Sequence, residues 1–363
     1  MSASDAIYSK EERLSTVYIT SHNGVLNDNG DVLYYRDYQG NLTKLLPDKV
    51  NEIVLLGRTN ITSGAFMLLF RHNIGVVFLS RSGKYISRLV YSDKKNTLLR
   101  HRQHMVSADE EASLRIAKDI VAGKLYNQYC FMKRIARKSD QCREATAEAV
   151  FEINRIRKNL ESAETLDEVR GYEGDGSRLY FSVLGEDINC GWTAFKGRSK
   201  NPPLDEVNAV LSLLYTVLAN RLSSYIHTAG LDPGIGTLHA VAYGRESLVF
   251  DLVEEFRTPI ADTLTCSLFN MGVLKKEHFR VDVCDDVDED DDSVAEGRVE
   301  AVLLTEEGFR KVLEQFERKI SETHYHKFTG SVLTYDQILR EQVLQYRKVI
   351  AGLAEHYIPV SVK

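Results

Sequence analysis

Three segments of the chain place ionisable side chains among glycines or on one turn of a helix. The first, Gly171-Tyr-Glu-Gly-Asp-Gly176, offers Glu173 on a helix that its glycines should end. The second, Gly230-Leu-Asp-Pro-Gly-Ile-Gly-Thr-Leu-His239, is a tight loop that leads into a histidine. The third is Ser247-Leu-Val-Phe-Asp-Leu-Val-Glu-Glu-Phe-Arg257. As a helix it brings Asp251, Glu254 and Glu255 to one face, because they stand at i, i+3 and i+4. A carboxylate, an imidazole and further carboxylates make a mixed oxygen and nitrogen donor set. Such a set suits Mn2+ or Mg2+ better than a thiolate zinc site or an all-oxygen calcium cage. Taken singly, each segment also has an ordinary reading: a solvated helix end, a hydrogen-bonded structural histidine, a solvent-facing acidic stripe.

Other candidates fall away. His324 and His326 stand at i, i+2, a spacing that does not share a helix face, and read as surface residues. Gly174-Asp-Gly176 lacks the Lys-Ser/Thr that follows a phosphate loop. The five cysteines are scattered without a C-x-x-C pair, so neither a disulfide framework nor a zinc site is expected. The polar start shows no apolar targeting core, and a cytoplasmic location is expected.

Residues 17–92 read as strands with one short helix at 62–72. Asn29-Gly30 marks a tight hairpin turn between Leu26 and Leu33. Short apolar runs at 52–57, 75–80 and 85–89 complete a β-rich domain, 1–92. From residue 93 the apolar spacing turns helical, as in Leu114, Ile116, Ala117, Ile120, Val121 and Leu125. Thr165-Leu-Asp-Glu168 reads as a capping box that opens a short helix. A long apolar helix is expected over 205–229, and Thr258-Pro259 should restart the chain as a new helix. Further helices are expected at 305–322 and 335–354. The fold class is therefore α+β: an N-terminal β-rich domain, then a larger all-α domain, 93–363, that holds the candidate site.

The formal net charge of −6 speaks against a nucleic-acid partner only as a total. Residues 281–300 hold ten acids and one arginine, a local charge of −9, and read as a hairpin with an acidic tip. Residues 71–160 hold nineteen Lys/Arg against nine Asp/Glu, a local charge of +10.

The motifs in this order resemble the CRISPR-associated integrase/endonuclease family of spacer acquisition. The resemblance rests on Ile120-Val-Ala-Gly-Lys-Leu-Tyr-Asn-Gln128, Gly-x-Glu-Gly at 171–174, Asn208-Ala-x-Leu-Ser212, the loop ending at His239 and the Ser247–Arg257 stretch. Val54-Leu-Leu-Gly-Arg58 and Gly75-Val-Val-Phe-Leu-Ser80 in the first domain are similar too. It spans about residues 17–320, most of the chain. The polar first 16 residues and the acidic tip at 285–292 depart from the family pattern.

The resemblance implies an N-terminal β-domain and a helical domain with a metal site. Glu173, His239 and Glu254 match the family's metal ligands, with Asp251 as helper or alternative ligand. It also implies a homodimer that joins a small ferredoxin-like partner and acts on double-stranded and branched DNA. The expected reaction is attack of a fragment's 3′-OH on a phosphodiester at the edge of a repeat, aided by Mg2+ or Mn2+. Arg58, Arg88 and Lys124 are candidates for contact with the DNA backbone. The competing readings are a non-catalytic DNA-binding scaffold subunit and a metallohydrolase of small phosphate esters. The latter leaves the +10 segment unused.

Overall fold

The computed structural model describes residues 15–21, 23–80, 83–89, 96–200, 202–284 and 299–361. The chain divides into two compact units, Met1–Asp93 and Lys94–Lys363. The acidic tip at 285–292 and the first 14 residues lie outside the described residues.

The first unit holds two four-stranded sheets. Its strands are β1 (Ser15–Ile19), β2 (Gly24–Asn29), β3 (Val32–Arg36), β4 (Leu42–Leu45), β5 (Val50–Leu56), β6 (Thr59–Ile61), β7 (Gly75–Leu79) and β8 (Tyr85–Leu89). One sheet runs β1-β5-β7-β8, with β1, β5 and β7 parallel and β8 antiparallel at the edge. The other runs β4-β3-β2-β6. The expected Asn29-Gly30 turn joins β2 to β3, pairing Asn29 with Val32. Helix α1 (Ser63–His72) is capped by the Thr62 hydroxyl, which accepts from the Ala65 N–H. Leu26, Leu33, Ile53, Leu55, Leu69 and Val76 form the fully buried core. Strand β5 is apolar and buried from Ile53 to Leu56 because both its faces are covered there; before that run Asn51 is exposed and Glu52 is buried.

The second unit begins with α2 (Thr97–Ala108) and the 27-residue α3 (Glu110–Ala136). It continues with α4 (Asp140–Asn159), α5 (Leu166–Val183), α6 (Glu206–Thr228) and α7 (Ser247–Phe256). Helix α3 packs against α4, α5 and α7 and so forms the axis of the unit. Its buried row Ile116, Ala117, Ile120, Val121 and Leu125 supplies the apolar contact. Helix α6 is apolar nearly all round because it runs through the core. After the short α8 (Thr263–Asn270) come the hairpin β9 (Phe279–Cys284) and β10 (Val299–Leu304), then α9 (Glu306–Ile320). A second hairpin, β11 (Thr323–His326) and β12 (Ser331–Thr334), precedes α10 (Tyr335–Ile350).

Four expectations change. Helix α5 does not end at its glycines but runs through Gly171, Gly174 and Gly176 for 18 residues. The Thr165 hydroxyl accepts from the Glu168 N–H, but the Glu168 carboxylate bonds the Glu164 N–H, one residue before the cap. The chain does not restart at Thr258-Pro259. Instead α7 passes into a π-turn, Arg257–Asp262, and on into α8. The wider turn accommodates a proline that has no N–H to give. His326 is not a surface residue: it is 3% exposed and bonded to Gln342 and Thr329.

Candidate active site

Helix–helix contact brings the first carboxylate into place. A Cβ on Gly176 would stand 2.2 Å from Leu125 Cδ2, so only glycine lets α5 lie this close to α3. That approach sets Glu173, one turn earlier on α5, against Lys124 of α3 as an ion pair. Ser177 Oγ donates to the same Glu173 oxygen at 3.0 Å. On its other side Lys124 Nζ lies 2.6 Å from Glu254 Oε2 of α7. Arg257 Nη2, in the π-turn, reaches Glu254 Oε1 at 3.1 Å. Lys124 thus bridges two carboxylates from two helices, with its side chain only 5% exposed.

The histidine loop is fixed by side chains from three helices. Gln103 of α2 donates to the carbonyls of Asp232 and Ile235, both at 2.8 Å, and accepts from the Asp232 N–H. Ser107 donates to Gly236 O and Arg170 to Leu238 O. Asp251 of α7 closes the loop from below. Its Oδ2 accepts the N–H groups of Thr237 and Leu238, and its Oδ1 accepts the N–H of His239. Gly236 must be glycine here, because a Cβ would meet Asp251 Oδ2 at 2.4 Å. His239 Nδ1 lies 2.8 Å from Asp251 Oδ1. An ionised carboxylate can only accept, so Nδ1 carries a proton, and in the neutral ring Nε2 is the atom that holds the lone pair.

Asp251 therefore has no lone pair left for a metal. The alternative-ligand expectation gives way to one of orientation: Asp251 holds His239 in one tautomer and one ring position. The three acids of α7 do not share a face toward solvent or toward one site. All three are buried, and each has its own partners. Glu255 turns to the C-terminal segment, accepting from Tyr357 Oη, Gln342 Nε2 and the Val360 N–H. The contrast in charge follows. Burial alone would raise the Glu254 carboxyl, but Arg257 and Lys124 outweigh it and hold it down to about 2. Glu255 has no cation, so burial pushes it up to about 7 against the pull of its hydrogen bonds.

Two of the DNA-contact candidates are corrected. Lys124 lies inside the carboxylate cluster, not on a solvated track. Arg88, in the first unit, has a side chain 6% exposed and pairs with the equally buried Glu52 at 3.3 Å, which satisfies that strand acid instead. Arg58 is exposed.

The arrangement suits a hard divalent cation by donor type. Glu254 Oε2 is buried yet has no aligned hydrogen bond, although the ammonium is near. His239 Nε2 receives no hydrogen bond among the described residues. Among the described residues no three His, Cys, Asp or Glu side chains are placed to enclose a metal, and Lys124 lies between the two carboxylates. A divalent ion would compete with that ammonium.

A cationic wall flanks the cluster. The Arg257 and Arg198 guanidinium groups lie 4.9 Å and 5.3 Å from the Tyr215 ring centroid. Tyr215 and Tyr180 both donate to the buried Asp262. Burial raises the Asp262 carboxyl, against those hydrogen bonds. Sequence reasoning passed over Arg257, which its i+3 spacing from Glu254 could have revealed. It also missed Gln103, a fully buried glutamine that no spacing marks out.

Residues 17–318 match the family described as CRISPR associated protein Cas1. A CRISPR-associated endonuclease Cas1 from Rhodospirillum rubrum is 34% identical over 326 residues, 87% of this chain and 89% of its own. Among solved structures, a casposase bound to integration product superposes with a TM-score of 0.78 at 20% identity, covering 96% of this chain and 95% of that one. A Cas6-RT-Cas1–Cas2 complex gives 0.81 at 20% identity; the match covers 97% of this chain but 36% of that longer one. The likeness to the solved structures is one of fold, and the sequence matches settle descent: the chain belongs to the CRISPR-associated Cas1 family.

Proposed function

We propose that this protein is a metal-dependent DNA endonuclease and integrase that inserts short DNA fragments into a CRISPR array. The observation that carries the reading is the convergence of Glu173 and Glu254 on one buried cation, beside a histidine whose free ring nitrogen is set by Asp251. Glu173, Glu254 and His239 Nε2 would hold Mg2+ or Mn2+. Such an ion, when bound, neutralises phosphate oxygens and activates an oxygen nucleophile.

The chain's own residues do the rest. Asp251 fixes the His239 tautomer, so the ring accepts no proton at Nδ1 and presents Nε2. Arg257, with Arg198 beside it, offsets phosphate charge next to Glu254. The low proton affinity of Glu254 keeps it an anion at every working pH. The nucleophile is the 3′-OH of a fragment; with water in its place the same site cuts DNA. The endonuclease relative supports this reading, and the likeness in fold to a casposase bound to integration product and to a Cas6-RT-Cas1–Cas2 complex is consistent with DNA integration and a partner protein. A homodimer joined by a ferredoxin-like partner, in the cytoplasm, completes the proposal.

The test is an integration assay on repeat DNA with and without Mn2+, using fragments with free or blocked 3′ ends. Wild-type protein should give joined product only with metal and a free 3′-OH, and His239→Ala should give none while keeping its circular-dichroism spectrum. Product from blocked ends, or wild-type yield from His239→Ala, would overturn the assignment. DNA binding without any metal-dependent cutting or joining would favour the scaffold reading.

A further inference from the structure

The chain that leaves His239 carries apolar side chains out into water. Residues 240–245 are all exposed, Val241 by 58% and Tyr243 completely. Tyr243 stands at the first corner of a tight turn. The Arg245 N–H donates to Ala242 O at 3.2 Å, and Gly244 at the second corner has φ +72°. Glycine adopts that left-handed conformation without strain, so the turn closes and displays Tyr243. Apolar residues exposed one at a time are ordinary. Two large ones on one turn, with alanines between and beside them, make a tip.

The tip is fixed at its base and tied to the site. Ser247 Oγ donates to Ala240 O at 2.8 Å, and the Leu248 N–H donates to Pro233 O at 2.9 Å. The Arg245 guanidinium lies 5.4 Å from the Phe250 ring centroid. That ring meets the His239 imidazole edge to face, with centroids 6.3 Å apart. A row of three groups thus runs from the turn to the imidazole. Tyr243 follows His239 by four residues, so their Cα atoms lie at most about 14 Å apart. Along a duplex strand, at about 3.4 Å per nucleotide, that reach is about four base pairs.

Charge selects what meets the tip. The exposed stretch 240–245 holds one ionisable group of fixed charge, the Arg245 cation, and no acid. Duplex DNA answers both parts: its phosphates suit Arg245, and the faces of a base step suit Tyr243 and Val241. We infer that the turn 242–245 is a wedge on the duplex being joined. Tyr243 presses into a base step within about four pairs of the scissile phosphate, and Arg245 holds the adjoining backbone. Tyr243 is thus a positioning residue, which deforms the duplex and touches no reacting atom. Targets with a flexible pyrimidine–purine step in reach are favoured, because they open at lower cost. The inference rests on the integrase reading above and adds how the target duplex is gripped.

Two measurements on the full chain test it. The first needs no metal: 2-aminopurine, which brightens when its stack is opened, is placed singly along the duplex arms of a branched DNA that mimics the half-joined product. Wild-type protein should brighten a probe within about four pairs of the junction and none farther out. Tyr243→Ala should lose that signal and Tyr243→Phe should keep it. Arg245→Gln should weaken binding and lower its salt slope by about one. The second is the Mn2+ joining assay. Tyr243→Ala, whose circular-dichroism spectrum should match wild type, should join into an intact duplex about tenfold more slowly, the order of one lost aromatic–base contact. A mismatch at the brightened step should recover most of that loss. The inference is overturned if wild-type protein brightens no probe, if Tyr243→Ala brightens it equally, or if the variant slows intact and mismatched targets alike. Unchanged joining with an altered oligomeric state by light scattering would make the tip a protein contact and overturn it too. Wild-type joining without brightening would remove the wedge and leave the integrase reading standing; no joining of any DNA with metal would remove that reading itself.

Discussion

Replacing Lys124 by methionine takes one ammonium away from two carboxylates and keeps most of the apolar stem that packs in α3. The Lys124 side chain is 5% exposed, Glu254 2% and Glu173 23%. Breaking a buried ion pair from one side costs about 3–5 kcal/mol, because the partner charge remains. Arg257 still holds Glu254 at 3.1 Å and Glu173 can turn to water, so the low end, about 3 kcal/mol, is expected. For a unit of this size that lowers Tm by roughly 6–12 °C. Mn2+ should then restore stability, by about 2.7 kcal/mol at a hundredfold excess over Kd. In wild-type protein the ion must displace the ammonium, so its Mn2+-induced Tm rise should be smaller than the variant's. Differential scanning calorimetry in chelator and in Mn2+ reads both quantities without any activity measurement. A variant as stable as wild type in chelator, or with the same Mn2+ increment, would show that Lys124 does not stand in for a metal between these carboxylates.

Three further outcomes are expected. Asp251→Asn keeps the shape but turns an N–H group toward donors, three backbone N–H groups and His239 Nδ1, that a carboxylate accepts in the wild type; integration rate and Mn2+ affinity should fall about 10–100-fold, read by kinetics and calorimetric titration. Gly176→Ala drives a methyl into Leu125 and should cost about 1–3 kcal/mol together with activity, and adding Leu125→Ala should recover part of both. Glu255, raised to about 7, binds its proton more tightly when folded than unfolded. Its contribution to stability is therefore full below the ordinary glutamate value and is lost as pH rises through about 7. Urea unfolding in chelator at pH 5 and pH 8 should show a wild-type loss of at most about 3 kcal/mol from this group, flattened in Glu255→Gln; parallel pH profiles would refute the assignment.

Much of the fold was legible because its signals are local. Asn29-Gly30 specifies a hairpin turn, Thr62 and Thr165 cap helices through their own hydroxyls, and α3 announces its buried face by three- and four-residue spacing. What was illegible depends on packing between distant segments. The glycines of α5 read as helix breakers because isolated propensity penalises them. In the fold Gly176 is retained for the approach to Leu125, and tertiary contact outweighs the local cost. Pro259 reads as a helix start for the same reason; the π-turn that absorbs it places Arg257 against Glu254. Lys124 read as a solvated DNA contact because nothing near it in the chain is acidic, while its two partners lie 49 and 130 residues away.

The three acids of α7 show why spacing identifies a cluster but not its division of labour. Side chains at i, i+3 and i+4 leave the same side of a helix, yet their carboxylates are carried apart by what packs there. Asp251, shortest and earliest, lies under the amide groups of the histidine loop and spends all its lone pairs on them and on the imidazole. Glu254 meets two cations and stays ionised far below neutrality. Glu255 meets only neutral donors, from Gln342, Tyr357 and the Val360 amide, and its proton affinity rises accordingly. Adjacent residues of one type thus shift in opposite directions, Glu254 held down by cations from the π-turn and α3, Glu255 pushed up by burial where α10 and the C-terminal segment supply only neutral donors. Lys124 already meets two carboxylates, and a third, were Glu255 to turn toward it, would face only their repulsion. The C-terminal contacts at 357–360 hold Glu255 away, and so support the carboxylate cluster although they touch neither Glu173 nor Glu254.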